Sequence, residues 1–153
     1  MATSFPVHAT VTHKYAAAPE RVFDAWLDTG MIGKFMFGPA LRDEEIVQLK
    51  TDARVGGTFS FIVRREGIEI EHIGEYIEID RPRRLLFSWA VRQDLPDSSR
   101  ILIDITTLST GCELTLTQEM PANWADFVER AKSAWAKMLH ALADVLQRRI
   151  TPI

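Results

Sequence analysis

The last third of the chain sets the tightest limit on its fold. A strand-like run from Ile101 to Met120 gives way at Pro121 to one long amphipathic helix. Apolar residues recur at Trp124, Phe127, Val128, Ala131, Trp135, Met138, Leu139, Leu142 and Leu146. These steps of three and four place a broad stripe on one helical face. Nearly thirty helical residues span roughly 40 Å at about 1.5 Å per residue, so the helix must lie along something large. A sheet is the partner that the rest of the sequence offers.

That sheet is legible as alternation. A first strand is expected over Val7 to Ala16, then a helix opened by Pro19, where the missing N–H costs nothing. Val22, Phe23, Trp26 and Leu27 form its buried face, and Thr29-Gly30 is read as its stop. A second short helix is expected over Met31 to Phe37, ended by Gly38-Pro39. Six strands follow, near Leu41–Lys50, Thr58–Arg65, Ile68–Asp80, Arg83–Val91, Arg100–Leu108 and Cys112–Met120. Gly56-Gly57, Glu66-Gly67, Asp80 to Pro82 and Thr110-Gly111 supply turns between them. Phe59, Phe61 and Val63 share one face of their strand, as do Leu85, Phe87, Trp89 and Val91. One face is covered and one meets water, as antiparallel sheets permit. Asn123 and Asp126 form a capping-box-like start to the last helix, and Arg148 and Arg149 suit its negative end.

The order predicts an α+β fold: a curved antiparallel sheet of about seven strands around a long C-terminal helix, with two short helices after the first strand. At 153 residues the chain reads as a single domain, 1–153, large enough for a substantial core. A net charge of -3 gives no electrostatic footprint for nucleic acid. Cys112 is the only cysteine, which excludes an intramolecular disulfide and a cysteine metal cluster. The start of the chain lacks the pattern of a signal peptide, and no apolar run has the length of a membrane span, so a cytoplasmic location is the expectation.

Four motifs occur in order: Ala17-Ala18-Pro19-Glu20-Arg21-Val22-Phe23, Asp52-Ala53-Arg54-Val55-Gly56-Gly57-Thr58-Phe59, the run from Gly74 through Asp80-Arg81-Pro82 to Leu85, and Cys112-Glu113-Leu114-Thr115-Leu116-Thr117-Gln118. On these the chain resembles the START-like, or SRPBCC, superfamily with its helix-grip fold. Within it, the chain is most similar to bacterial proteins like the C-terminal domain of the Hsp90 ATPase activator. The curved sheet and single long helix leave room for a cavity between them, and the resemblance implies a role as a stress-linked chaperone partner. Many relatives carry tryptophan in the second short helix, where this chain has Lys34-Phe35-Met36.

His72 belongs to the series Ile68, Ile70, His72, Gly74, Tyr76, whose alternation puts it on the covered face. There it could donate to a ligand carbonyl or serve as a general acid or base, or be satisfied by a core partner. Gln118, among Leu114, Leu116 and Met120, is a polar group able to orient a molecule in an apolar pocket. Phe37, Phe59, Phe61, Phe87, Trp89, Trp135 and Met138 are expected wall residues, which simple core packing also explains. His8 and His13 point to opposite faces of one strand and His140 lies on the polar side of the last helix, so no metal site is expected. No nucleophile elbow, phosphate loop or dinucleotide fingerprint is present, and no cofactor is expected. The leading expectation is a protein that binds a small apolar or amphipathic molecule. Alternatives are a cofactor-independent enzyme like the superfamily's polyketide cyclases and dehydratases, with His72 as acid or base helped by Tyr76, and a chaperone partner. A homodimer through a sheet edge or the second short helix remains compatible with the sequence.

Overall fold

A computed structural model of the protein describes residues 5–150, with side chains as far as 147. Its seven strands are β1 (Val7–Tyr15), β2 (Glu45–Thr51), β3 (Thr58–Arg65), β4 (Ile68–Asp80), β5 (Arg84–Val91), β6 (Ser99–Thr107) and β7 (Cys112–Met120). The helices are α1 (Pro19–Ala25), α2 (Thr29–Phe35) and α3 (Val128–Ile150). The strands form one antiparallel sheet in the order β1-β7-β6-β5-β4-β3-β2. The first strand therefore joins the last and the chain returns by hairpins, which is the expected α+β helix-grip arrangement.

Local chemistry explains the elements, including those that differ from expectation. Pro19 does start α1, but α1 stops at Ala25, before Thr29-Gly30. Those two residues open α2 instead, because the Asp28 carboxylate accepts the Gly30 N–H at 2.8 Å and caps the new helix. The last helix also starts later than the capping pattern suggests. Residues Ala122–Phe127 wind as a tight 3-10 segment in which Trp124 leaves helical geometry, and α3 begins at Val128. Asn123 is thus inside that segment, and Phe127 ends up 36% exposed instead of on the buried stripe. Arg148 and Arg149 lie outside the described side chains.

The turn before β3 is built from glycine. Gly56 adopts φ +85°, and a Cβ on Gly57 would sit 2.0 Å from the Asp52 carbonyl oxygen. The same pair exchanges backbone hydrogen bonds with Tyr76, tying the turn to the middle of β4. An Arg54–Asp52 ion pair at 2.8 Å braces it from outside. Further along β4 a bulge at Ile77 shifts the register. Ile77 is turned out to solvent, 42% exposed, and Ile79 takes the inner position opposite Leu85.

The core lies between the inner face of the sheet and the three helices. Helix α3 packs against β1 and α2, burying Ala131, Trp135, Met138, Leu139, Leu142, Val145 and Leu146. Each large side chain in that row stabilises the fold by about 1.5–3 kcal/mol, an upper estimate because unfolded chains already bury some surface. Two hydrogen bonds fix the helix along its length: Tyr15 Oη donates to the Leu139 carbonyl at 2.8 Å, and Arg21 to that of Leu146 at 3.0 Å.

Candidate functional site

Three neighbouring strands make the inner wall. Antiparallel register sets Phe61 opposite His72, Phe59 opposite Gly74, and Tyr76 opposite Phe87. Two residues beyond Phe87 on β5, Trp89 projects from the same face. Phe37 arrives just past α2, while Trp135 and Met138 come from α3. The rings form one connected set. His72 lies between Phe37 and Trp89, at centroid distances of 4.9 and 5.3 Å, and Trp89 meets Trp135 at 5.6 Å and Phe59 at 5.9 Å. Phe59 stacks on Phe61 at 4.7 Å. All ten residues singled out from the sequence lie on this inner face or pack against it.

The rings pack closely, yet the interior is not sealed. Trp89 has five aromatic neighbours (Phe37, Phe59, His72, Phe87 and Trp135) and is nevertheless only partly buried. Part of Trp89 is therefore open to solvent. Two hollows lie elsewhere. One of about 630 Å³ opens on the outer face of β2 to β5, between Ser60, Ile73, Ser88 and Ala90 and the loop bearing Leu95. The other, about 470 Å³, lies beside Trp124 and Phe127, with Asp94, Asp97 and Asp126 on its rim.

The polar groups of the wall have defined partners. His72 Nδ1 is 3.2 Å from the Phe61 carbonyl oxygen. A carbonyl accepts and cannot donate, so Nδ1 carries the proton and Nε2 is left with a lone pair. Burial pushes the His72 pKa down to about 4; the Phe61 hydrogen bond opposes this, and the charges of Arg65 and Arg42 reinforce it against Glu44. The ring is neutral at ordinary pH, and among the described residues Nε2 has no hydrogen-bond partner. Tyr76 Oη and Thr51 Oγ1 are 2.5 Å apart, so that hydroxyl is engaged at the β2 side of the wall.

Gln118 is oriented by protein. Its Oε1 accepts the indole N–H of Trp135 at 2.8 Å, and its Nε2 donates to Ser99 Oγ at 3.0 Å. Ser99 in turn donates to the Trp89 carbonyl at 3.1 Å. The amide thus holds Trp135 and, through Ser99, the Trp89 backbone. Gln118→Leu is expected to cost about 1–3 kcal/mol, read as a lower urea midpoint, because it strands the buried Trp135 N–H. An unchanged midpoint would show that Trp135 finds another acceptor.

Sequence reasoning missed two features. Glu44 is buried and carries the charge-assisted bonds that hold the loop after Phe37. It accepts from Gly38 N at 2.8 Å, Arg42 at 3.1 Å and Arg65 at 2.6 Å. Nothing in Arg42-Asp43-Glu44-Glu45 marks one acid as buried. Trp26 was legible as core, but its indole N–H is buried with no acceptor among the described residues, beside Phe35 and Trp135. No group of His, Cys, Asp and Glu able to hold a metal occurs among the described residues. Nor, among them, is any helix long and apolar enough to cross a membrane.

A seven-stranded antiparallel sheet gripping a long terminal helix, with an aromatic inner wall, defines a START-like domain. Residues 16–147 match the family described as activator of Hsp90 ATPase homolog 1-like protein, and the chain belongs to that family. Solved structures agree. A crystal structure from Chromobacterium violaceum is 26% identical, with 92% of this chain and 96% of that one covered at a TM-score of 0.80. A solution structure from Cytophaga hutchinsonii is 22% identical over 98% and 100% of the two chains, with a TM-score of 0.75. The AHSA1 protein from Silicibacter pomeroyi is 21% identical over 94% and 99%, also with a TM-score of 0.75. The last two, at such identities, bear on the fold alone. No curated protein matches the sequence.

Proposed function

We propose that residues 1–153 form one ligand-binding domain that takes a small apolar or amphipathic molecule between the inner face of β3 to β5 and helix α3. The observation that carries this reading is Trp89, a tryptophan inside a ring of five aromatic side chains that solvent still reaches. A core residue with no further role would be expected to be closed off by such neighbours. Ligand entry would turn Trp89 and Phe37 aside, and binding energy would come from apolar burial at about 25 cal/mol per Å². The enzyme reading has less support, since Tyr76 Oη is bonded to Thr51 Oγ1 and His72 to the Phe61 carbonyl, with no hydrogen bond joining the two as a proton-moving pair among the described residues. A chaperone partnership rests on family membership, which is a weak guide to function.

The test is a titration with anilinonaphthalene sulfonate, followed by probe emission and tryptophan quenching. Wild type should bind one-to-one and saturably. Trp89→Asp should abolish binding by placing a charge of the probe's own sign at the opening. Leu95→Asp, beside the outer hollow, should leave it intact. Loss in Leu95→Asp alone would move the site to the outer face and defeat the proposal.

A further inference from the structure

We infer that His72 is the polar anchor of this site and acts there only as a hydrogen-bond acceptor, so the ligand is a flat apolar or aromatic molecule bearing a hydroxyl or N–H donor. This rests on the ligand-binding reading above. The Phe61 carbonyl, 3.2 Å from Nδ1, can only accept, so the single proton of a neutral imidazole is held at Nδ1. Nε2 then offers a lone pair and nothing to give. A ligand carbonyl or ether at that position would set lone pair against lone pair, whereas a phenol, alcohol or amine N–H would complete the bond.

The surroundings keep the ring in that state. His72 is only 7% exposed, and Phe37 and Trp89 cover it. The charged groups acting on it are Arg42, Arg65 and Glu44, and the two arginines oppose a second proton. Glu44 is itself held by both arginines and by Gly38 N, which leaves it engaged on that side. The flanking rings add a shape requirement, because aromatic faces favour stacked or edge-on partners. Donor recognition in an apolar slot discriminates well, since the wrong ligand leaves a buried polar atom unpaired. The geometry also revises the two roles open from sequence: His72 cannot donate to a ligand carbonyl, nor act as a general acid, without first gaining a proton that its setting disfavours.

The experiment uses three probes of nearly one shape: α-naphthol, its methyl ether and naphthalene, titrated by tryptophan quenching into wild type and His72→Phe. The expected result is about tenfold tighter binding of α-naphthol than of the ether by wild type. His72→Phe should erase that preference, so that naphthol and its ether bind alike. Nitrogen-15 NMR of wild type should place the His72 proton on Nδ1, which decides the tautomer even if the variant does not fold. Equal binding of naphthol and ether by wild type, or a proton on Nε2, overturns the inference while ligand binding stands. Failure of all three probes to bind overturns both.

Discussion

Gly74→Ala is expected to lower the stability of the protein by at least about 3 kcal/mol, beyond the usual range for an extra methyl group in a core. Gly74 lies between His72 and Tyr76 on the inner face of β4. A Cβ there would sit 2.0 Å from the Ser88 carbonyl oxygen and 2.4 Å from Cζ of Phe59. The ring could swing away at modest cost; the carbonyl belongs to the neighbouring strand and moves only if β4 and β5 part. Relief therefore means giving up part of the pairing between Ile73–Ala90 and Tyr76–Phe87, on which the whole inner wall depends. Urea unfolding measures the loss. Adding Phe59→Leu to Gly74→Ala should restore only a minor part, because the clash with the strand remains. A midpoint within about 1 kcal/mol of wild type would mean that the two strands separate easily, contrary to this packing.

Which parts of this arrangement were legible beforehand follows from their physics. Period-two alternation reports which face a side chain occupies, so Phe59, Phe61, Phe87 and Trp89 were placed correctly relative to one another. Alternation fails where a bulge inserts a residue, and only the register shows that Ile79 succeeds Tyr76 on the inner face while Ile77 turns out. A capping pattern reports a local tendency. At Asn123 and Asp126 it lost to the geometry of Trp124, and α3 starts at Val128. Hydrogen-bond direction leaves no trace in a pattern of residue types. His72, Tyr76 and Gln118 could be assigned to the interior, but whether each faced a ligand or a neighbour depended on Phe61, Thr51 and Trp135, which arrive from other elements. Glu44 was invisible for a related reason: its burial is created by Gly38, Arg42 and Arg65, the last from β3. The loop that holds Phe37 against His72 was thus beyond any reading of the chain as a string.

Glu44→Ala should be the second large perturbation, about 3 kcal/mol in the same assay, at the lower end of the cost of breaking a buried ion pair. The lower end applies because water reaches both arginines, whose side chains are 23% and 36% exposed. The Glu44 carboxylate is fully buried, so its removal leaves the Arg65 guanidinium and the Gly38 N–H without their acceptor and Arg42 with the Met36 carbonyl alone. Acid should reveal the same interaction. Burial acts to raise the Glu44 pKa, but the Gly38 and Arg65 hydrogen bonds and the charges of Arg42 and Arg65 outweigh it and hold it below the ordinary 4.5. A carboxylate with a depressed folded pKa contributes stability in full above its unfolded pKa, and that share disappears as pH falls through the folded value. His72 acts over a higher window: its pKa falls from 6.5 to about 4 on folding, so acid begins to favour the unfolded chain near pH 6.5. Wild type should therefore lose stability first between pH 6.5 and about 4 and then further below 4.5, where Asp24 and Glu71, also depressed by arginine partners, add their shares. Glu44→Ala should retain the first phase and show a shallower second one, so the gap between the two proteins narrows below pH 4.5. A gap that stayed constant with pH would assign the loss to packing alone, and Glu44 would cease to be the charge that holds the loop after Phe37.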